Sequence, residues 1–164
     1  MHSRSPMPRK ILFVCLGNIC RSPTAEGVFR ELADRAGLLE DLVIDSAGTG
    51  AWHVGESPDR RMRQAALRHG YRLEGRARRV EASDYARFDL IFAMDSDNLD
   101  SLQRSCPTQH AHKVRLLGDL DSSQPGADVP DPYYGGTRGF DVVVEMVERC
   151  CQRLVASLQD GSGP

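Results

Sequence analysis

The stretch from Cys15 to Arg21 combines a cysteine with an arginine six residues later, directly after the apolar run from Lys10. A short run of this kind is typical of a strand buried on both faces, and Gly17 ends it. If the chain turns there and enters a helix, backbone N–H groups converge on one point, where the helix dipole adds positive potential. The sequence therefore predicts a loop that binds a tetrahedral oxyanion.

Three side chains of this loop have complementary chemistry. The convergent donors favour the charged form of the Cys15 thiol, which makes it a nucleophile at neutral pH. Arg21 can hold two phosphoryl oxygens in its planar fork, a geometry that lysine does not offer. The Ser22 hydroxyl can hydrogen-bond the sulfur and stabilise it as a leaving group. The structural alternative is a buried cysteine beside a surface arginine, but none of the other four cysteines has an arginine six residues later.

A nucleotide-binding P-loop is the natural rival for a phosphate site at this position. That class needs the pattern G-x-x-x-x-G-K-[ST], and the chain lacks it. The only two lysines of the chain are Lys10 and Lys113. The sequence therefore excludes that class.

Asp131, in the segment 129–136, is the candidate general acid. Phosphoryl transfer to sulfur expels an alkoxide or phenoxide, and a positioned acid speeds such a step by about 10²–10⁴-fold. Pro132 disfavours helical dihedral angles at Asp131, which helps to fix the direction of its carboxyl group. Tyr133 and Tyr134 offer flat apolar walls for an aromatic substrate. The alternative is a simple Asp-Pro turn.

Strand and helix patterns alternate along the chain. We predict strands over residues 10–15, 42–46, 88–94 and 114–117, and helices over 24–36, 57–70, 96–104 and 140–158. Ser22 is expected to cap the first helix, with Pro23 at its first position. The alternation predicts an α/β fold with a parallel sheet and helices on both faces. Ligands of such sheets bind beyond the carboxyl ends of the strands, which is where Cys15 lies.

Length and charge narrow the function classes. A chain of 164 residues suits one domain, which we place at residues 10–160 behind a flexible leader at 1–9. The net charge of -2 disfavours nucleic-acid binding, although residues 60–79 hold eight arginines against one acid. No stretch approaches the roughly 20 apolar residues of a membrane span, so we expect no membrane insertion. Five irregularly spaced cysteines favour a reducing cytoplasm and argue against a structural zinc site.

The motifs at residues 14–23 and 131–135 resemble those of the low molecular weight protein tyrosine phosphatases, and the resemblance runs from Lys10 to about Leu158. It implies a four-stranded parallel sheet and a two-step hydrolysis of phosphomonoesters without metal or cofactor. By this resemblance Cys15 is the nucleophile, Arg21 binds phosphate and Asp131 is the general acid.

The resemblance also implies supporting roles around the loop. Asn18 would hold the loop in shape, with Ser46 as its hydrogen-bond partner. Cys20 would form a reversible disulfide with Cys15 that protects the nucleophile, if the two Cα atoms lie within about 7 Å; alternatively it is a small buried side chain. The remaining predicted positions are the loop residues Leu16, Gly17, Ile19 and Ser22 around the phosphate, and the crevice walls Leu16, Trp52, Tyr133 and Tyr134. The alternative for Trp52 is a core aromatic.

Several features separate this chain from relatives on the same scaffold. Some members carry a histidine where this chain has the segment 73–76, which includes Gly75 and Arg76. Arsenate reductases relay disulfides through additional cysteines and lack the acid loop, and arginine phosphatases carry a threonine in place of Ile19. A non-catalytic phosphotyrosine-binding module is expected to lack the nucleophile or the acid. Residues 51–55 resemble bacterial members, so the expected partners are phosphotyrosine proteins, including a bacterial tyrosine kinase, and the expected state is a monomer or weak dimer.

Overall fold

The structure is a computed structural model that describes residues 8–132 and 136–164. Its strands are β1 (Lys10–Cys15), β2 (Val43–Gly48), β3 (Leu90–Ala93) and β4 (Val114–Leu116). Its α-helices are α1 (Arg21–Arg35), α2 (Arg60–Arg68), α3 (Asp84–Arg87), α4 (Ser96–Ser105) and α5 (Thr137–Asp160). Short 3-10 helices lie at Leu39–Asp41, Thr108–Lys113 and Leu117–Leu120.

The four strands form one parallel sheet in the order β2-β1-β3-β4. β1 is central, and Cys15 at its carboxyl end pairs with Gly48 of β2. This confirms the predicted α/β fold with a four-stranded parallel sheet. The site residues that follow β1 therefore lie at the strand ends, where the connections diverge.

Alternate residues of β1 enter two different apolar clusters, because successive side chains of a strand point to opposite faces. Phe13 packs with Phe29 of α1 and with helices α2 and α5, whereas Leu12 packs with residues of α3 and α4. The Phe13 ring lies edge-on to Phe29 and stacked on Phe92, with centroids 5.8 and 5.9 Å apart. The prediction of helices on both faces is confirmed, and this packing explains why β1 is apolar and buried from Ile11 to Cys15.

Two predicted helix starts were wrong. Helix α1 begins at Arg21 after Cys20, so Ser22 is not its cap. The Ser22 hydroxyl instead lies 3.0 Å from the sulfur of Cys15. Helix α2 begins at Arg60, where the Asp59 carboxylate accepts hydrogen bonds from two backbone N–H groups of the first turn. The better capping geometry of Asp59 places this start after Ser57 and Pro58.

Strand β2 is also longer than predicted, because its last two residues pair with the end of β1. Residues 1–7 of the expected leader lie outside the described part of the chain. The backbone of Arg9 is bonded to the sheet: its N–H donates to the Asp89 carboxylate, and its carbonyl oxygen accepts from the N–H of Val43. Within the described ranges, no helix combines the length and apolarity that crossing a membrane requires.

A buried ion pair joins α5 to the segment that leads to Asp131. Asp121 is fully buried and receives hydrogen bonds from Arg149 Nε at 2.9 Å and Nη2 at 3.2 Å. The same carboxylate accepts from the backbone N–H of Ser123. The hydrogen bonds from Arg149 hold the pKa of Asp121 below its usual range.

Arg149→Met is expected to lower the free energy of unfolding by about 2–3 kcal/mol at pH 7, because it leaves a buried carboxylate without its cation. The pair stabilises the fold above the unfolded pKa of Asp121, and this contribution is lost as the pH falls through the lower folded value. The deficit of the variant should therefore shrink below pH 4. Urea unfolding at pH 7 and pH 3 measures both effects, with the exposed Arg153→Met as control. A deficit independent of pH would contradict this role.

Candidate active site

The loop between β1 and α1 closes around the sulfur of Cys15. The backbone N–H of Asn18 donates to Cys15 Sγ at 3.3 Å, and the Ser22 hydroxyl lies 3.0 Å from the same atom. Asn18 has a φ of 57°, the only positive φ of a non-glycine residue in the described ranges. Asparagine tolerates this conformation better than most residues. The predicted turn at the end of the strand is therefore present, with the sulfur at its centre.

The Asn18 side chain stabilises this turn through its hydrogen bonds. Its amide nitrogen donates to Ser22 Oγ at 2.8 Å and to Ser46 Oγ at 3.0 Å. Its amide oxygen accepts from the backbone N–H of Arg78 at 3.0 Å. The amide is thus bonded to three different segments, and Ser46 lies where the sequence interpretation placed it.

Arg21 joins three loops above the sheet edge. Its Nη1 donates to Asp95 Oδ2 at 2.5 Å, just after β3, and to the carbonyl oxygen of Val129 at 3.1 Å. Only 4% of the side chain is exposed. Burial opposes its charge, but nearby Cys15 and Asp95 outweigh this effect and raise the pKa of the guanidinium. Arg21 is therefore a fixed cation rather than a mobile surface side chain.

Asp131 lies across the loop from this guanidinium. Its Oδ2 is 3.9 Å from Arg21 Nη2, and 41% of its side chain is exposed. The backbone N–H of Val129 donates to the carbonyl oxygen of Met94, which ties the acid loop to the end of β3. The carboxyl group is therefore held near the loop between β1 and α1 yet is open to solvent. Tyr133 and Tyr134, the predicted walls beside it, lie outside the described residues.

These side chains surround a crevice of about 440 Å³. It is lined by Cys15, Leu16, Gly17, Ile19, Cys20, Arg21, Trp52, His53 and Asp131. Trp52 is 73% exposed, so the core alternative for this residue is wrong. Its ring lies over Gly50, where any Cβ would come within 1.7 Å of the ring. The crevice thus has an ionic floor and apolar walls.

Cys20 is buried and lines the same crevice as Cys15. Burial, reinforced by Asp59 and Cys15, raises the pKa of its thiol, so Cys20 is neutral at physiological pH. Its disulfide with Cys15 stays a prediction. Cys150 and Cys151 are fully buried in the core, and burial raises the pKa of Cys150 to about 12.

Sequence reasoning missed four residues around the site. Asp95 orients Arg21, His53 lines the crevice, Glu26 accepts from Ser46, and Arg78 supports Asn18. Of these four, only Asp95 left a usable signal in the sequence, since it directly follows an apolar strand.

Part of the arginine-rich segment 60–79 has a structural role, because Arg78 pairs with Asp45 and with the buried Asp84. No cluster of three metal-ligating side chains occurs in the described ranges.

The fold and the site together define a class: a parallel α/β protein whose first strand ends in a loop around a cysteine sulfur and leads into a helix that begins at a buried arginine. The profile of the low molecular weight phosphotyrosine protein phosphatases matches residues 10–162, and the chain belongs to this family of protein-tyrosine phosphatase enzymes.

Individual relatives agree with this placement. The low molecular weight protein-tyrosine-phosphatase of Streptomyces coelicolor is 46% identical over 157 residues, which cover 94% of this chain and 96% of that protein. A crystal structure of a protein tyrosine phosphatase from Entamoeba histolytica superposes with a TM-score of 0.91 at 43% identity, covering 94% of this chain and 99% of the other. The crystal structure of a Drosophila arginine phosphatase superposes with a TM-score of 0.82 at 35% identity, covering 90% and 96%.

Proposed function

We propose that this phosphatase hydrolyses protein phosphotyrosine through a phosphocysteine intermediate. The Cys15 thiolate attacks phosphorus in line, a sulfur–phosphorus bond forms, and the bond from phosphorus to the phenolic oxygen breaks. The proton of Asp131 goes to the leaving oxygen. The Asp131 carboxylate then takes a proton from water, which attacks the phosphocysteine and releases phosphate, and Cys15 returns as thiolate.

The observation that carries this proposal is the environment of the Cys15 sulfur. A backbone N–H at 3.3 Å and a hydroxyl at 3.0 Å face it, and the buried Arg21 cation lies over the same loop. Donors and a cation that favour a thiolate also favour the negative oxygens of a phosphoryl group. The site therefore supports both the nucleophile and the charge that develops around phosphorus.

The crevice supports an aromatic substrate. Leu16 and Trp52 are exposed at its wall, and Cys15, which is 3% exposed, lies at its floor. A phosphotyrosine ring can span this depth, whereas a shorter phosphoserine side chain cannot. Expected substrates are phosphotyrosine proteins, among them a bacterial tyrosine kinase, in the cytoplasm.

Phosphoarginine is the second candidate substrate, because a solved arginine phosphatase shares this fold. Ile19 lines the crevice here in place of the threonine expected of that activity, and its apolar side chain favours the phenyl ring. An arsenate reductase relay has less support, since Cys20 is the only further cysteine that lines the crevice. Turnover of a phosphotyrosine peptide and a phosphoarginine peptide, compared directly, separates the candidates. Faster turnover of phosphoarginine would overturn the proposed specificity.

Asp131→Ala is expected to lower kcat on phenyl phosphate by about 10²–10³-fold. The loss on p-nitrophenyl phosphate should be smaller, because nitrophenolate leaves without full protonation. Steady-state rates in EDTA for both substrates measure this difference. Asp128→Asn, in the same loop, is the control and should retain activity, since the amide can still accept from Ser96. Equal losses on both substrates would contradict the role of Asp131 as acid.

A further inference from the structure

Glu26 lies on α1 behind the phosphate loop and does not line the crevice. Its side chain is 18% exposed. One carboxylate oxygen accepts a hydrogen bond from the Ser46 hydroxyl at 2.7 Å, and the other accepts a hydrogen bond from Arg30 Nε at 3.1 Å. A separate cavity of about 50 Å³ adjoins it, lined also by Asn18 and Gly75. Glu26 is thus two hydrogen bonds away from the residue that shapes the loop.

The Asn18 amide is the common donor between Glu26 and Cys15, because it donates to Ser46 on one side and to Ser22 on the other. An ionised carboxylate only accepts, so the Ser46 hydroxyl donates to Glu26 and its oxygen accepts from Asn18. The second hydrogen of the Asn18 amide goes to Ser22 Oγ. The hydroxyl hydrogen of Ser22 is then available for the sulfur at 3.0 Å, which is nearer than its other acceptor, the carbonyl oxygen of Ala47 at 3.4 Å.

Charged groups of both signs surround the Glu26 carboxylate. Arg30 faces it from α1 and Asp45 from β2, while Glu74 and Arg76 line the adjoining cavity from the segment before β3. Burial raises the pKa of Glu26, and the hydrogen bonds from Ser46 and Arg30 oppose that rise. In both of these contacts the carboxylate is the acceptor.

We propose that Glu26 is a positioning residue that sets the direction of the hydrogen bonds ending on the Cys15 sulfur. The proposal rests on the function proposed above, because it concerns the same nucleophile. Ionised Glu26 orients Ser46, Ser46 and the backbone N–H of Arg78 together orient the Asn18 amide, and the amide leaves the Ser22 hydrogen pointing at sulfur. One charge behind the loop thereby adds a donor to the thiolate in front of it.

Glu26→Gln tests this direction with little change in shape. Arg30 can only donate, so it takes the oxygen of the new amide and leaves the amide nitrogen facing Ser46 Oγ. Ser46 then directs its own hydrogen toward Asn18, and the donor on sulfur is weakened. The pH midpoint of Cys15 alkylation by iodoacetamide should rise by about 0.5–1 pH unit. For p-nitrophenyl phosphate, kcat should fall about 3–10-fold at pH 6 with little change in KM.

The controls separate positioning from general destabilisation. Glu31→Gln, on the same helix and paired with Arg35 at the surface, should leave the alkylation midpoint unchanged. Ser46→Ala should raise the midpoint as Glu26→Gln does, and the double variant should show no further rise, because both act through one chain of bonds. A wild-type midpoint in Glu26→Gln, or shifts that simply add in the double variant, would overturn the proposal.

Misfolding of Glu26→Gln and failure of the proposed function can each be distinguished from failure of this proposal. If Glu26→Gln fails to fold, Ser46→Ala still tests the chain of bonds, and an unchanged midpoint there overturns the proposal. Alkylation reports the thiolate without any turnover. A protein that alkylates as expected yet hydrolyses no phosphotyrosine would therefore reject the proposed function while leaving the role of Glu26 standing.

Discussion

Cys15→Ser is expected to lower turnover of p-nitrophenyl phosphate by at least about 10⁴-fold. The N–H of Asn18 and the hydroxyl of Ser22 face the Cys15 sulfur, whereas a serine hydroxyl in the same place stays protonated at neutral pH. The variant therefore has no nucleophile at neutral pH. It should still bind inorganic phosphate, because Arg21 and the loop amides are unchanged, and isothermal titration calorimetry measures that binding.

The matched control is Cys106→Ser. Cys106 is half-buried at the end of α4 and does not line the crevice, so its replacement should leave kcat and KM unchanged. Trapping the acid-quenched wild-type enzyme during turnover should place the phosphoryl group on the peptide that contains Cys15. Turnover by Cys15→Ser at the wild-type rate would eliminate the phosphocysteine route altogether.

Arg21→Lys has the second largest expected effect, a fall in kcat/KM of about 10³-fold. The guanidinium bonds Asp95 and Val129 through Nη1, while its Nη2 lies 3.9 Å from Asp131 and the side chain lines the crevice. An ammonium group carries the same charge but cannot hold the two protein partners and two phosphoryl oxygens in one plane. Loss of the Val129 contact also loosens the loop that carries Asp131.

Steady-state kinetics and inhibition by inorganic phosphate measure the two parts of this effect. The inhibition constant for phosphate should rise as well, because the fork binds the product as it binds the substrate. The control is Arg35→Lys in the last turn of the same helix. Arg35 pairs with Glu31 and lies over the Tyr71 ring, away from the crevice, so this variant is expected to keep wild-type kinetics. An Arg21→Lys enzyme with wild-type kcat/KM would show that charge alone suffices at this position.

The local pattern of the chain was enough to predict the scaffold and to propose the residues of the chemical centre. The apolar run ending at Cys15, the arginine six residues later and the helix that follows are neighbours in sequence, so their geometry follows from strand and helix periods. The acid loop could be proposed as well, since a nucleophile of this kind needs a proton donor. The starts of the helices were predicted less accurately. Serine is a common capping residue, but the hydroxyl of Ser22 bonds the Cys15 sulfur and the Asn18 amide instead.

By itself, then, the sequence determined the α/β class, and it proposed Cys15 as the nucleophile, Arg21 as the phosphate-binding residue and Asp131 as the acid. The tertiary structure alone decided which side chains support them. Arg21 meets Asp95 across 74 residues, and Asn18 meets Arg78 across 60. Such pairs depend on strand order and on loops that converge at one edge of the sheet. No local period records them, because a hydrogen bond between distant segments constrains neither residue's neighbours in the chain.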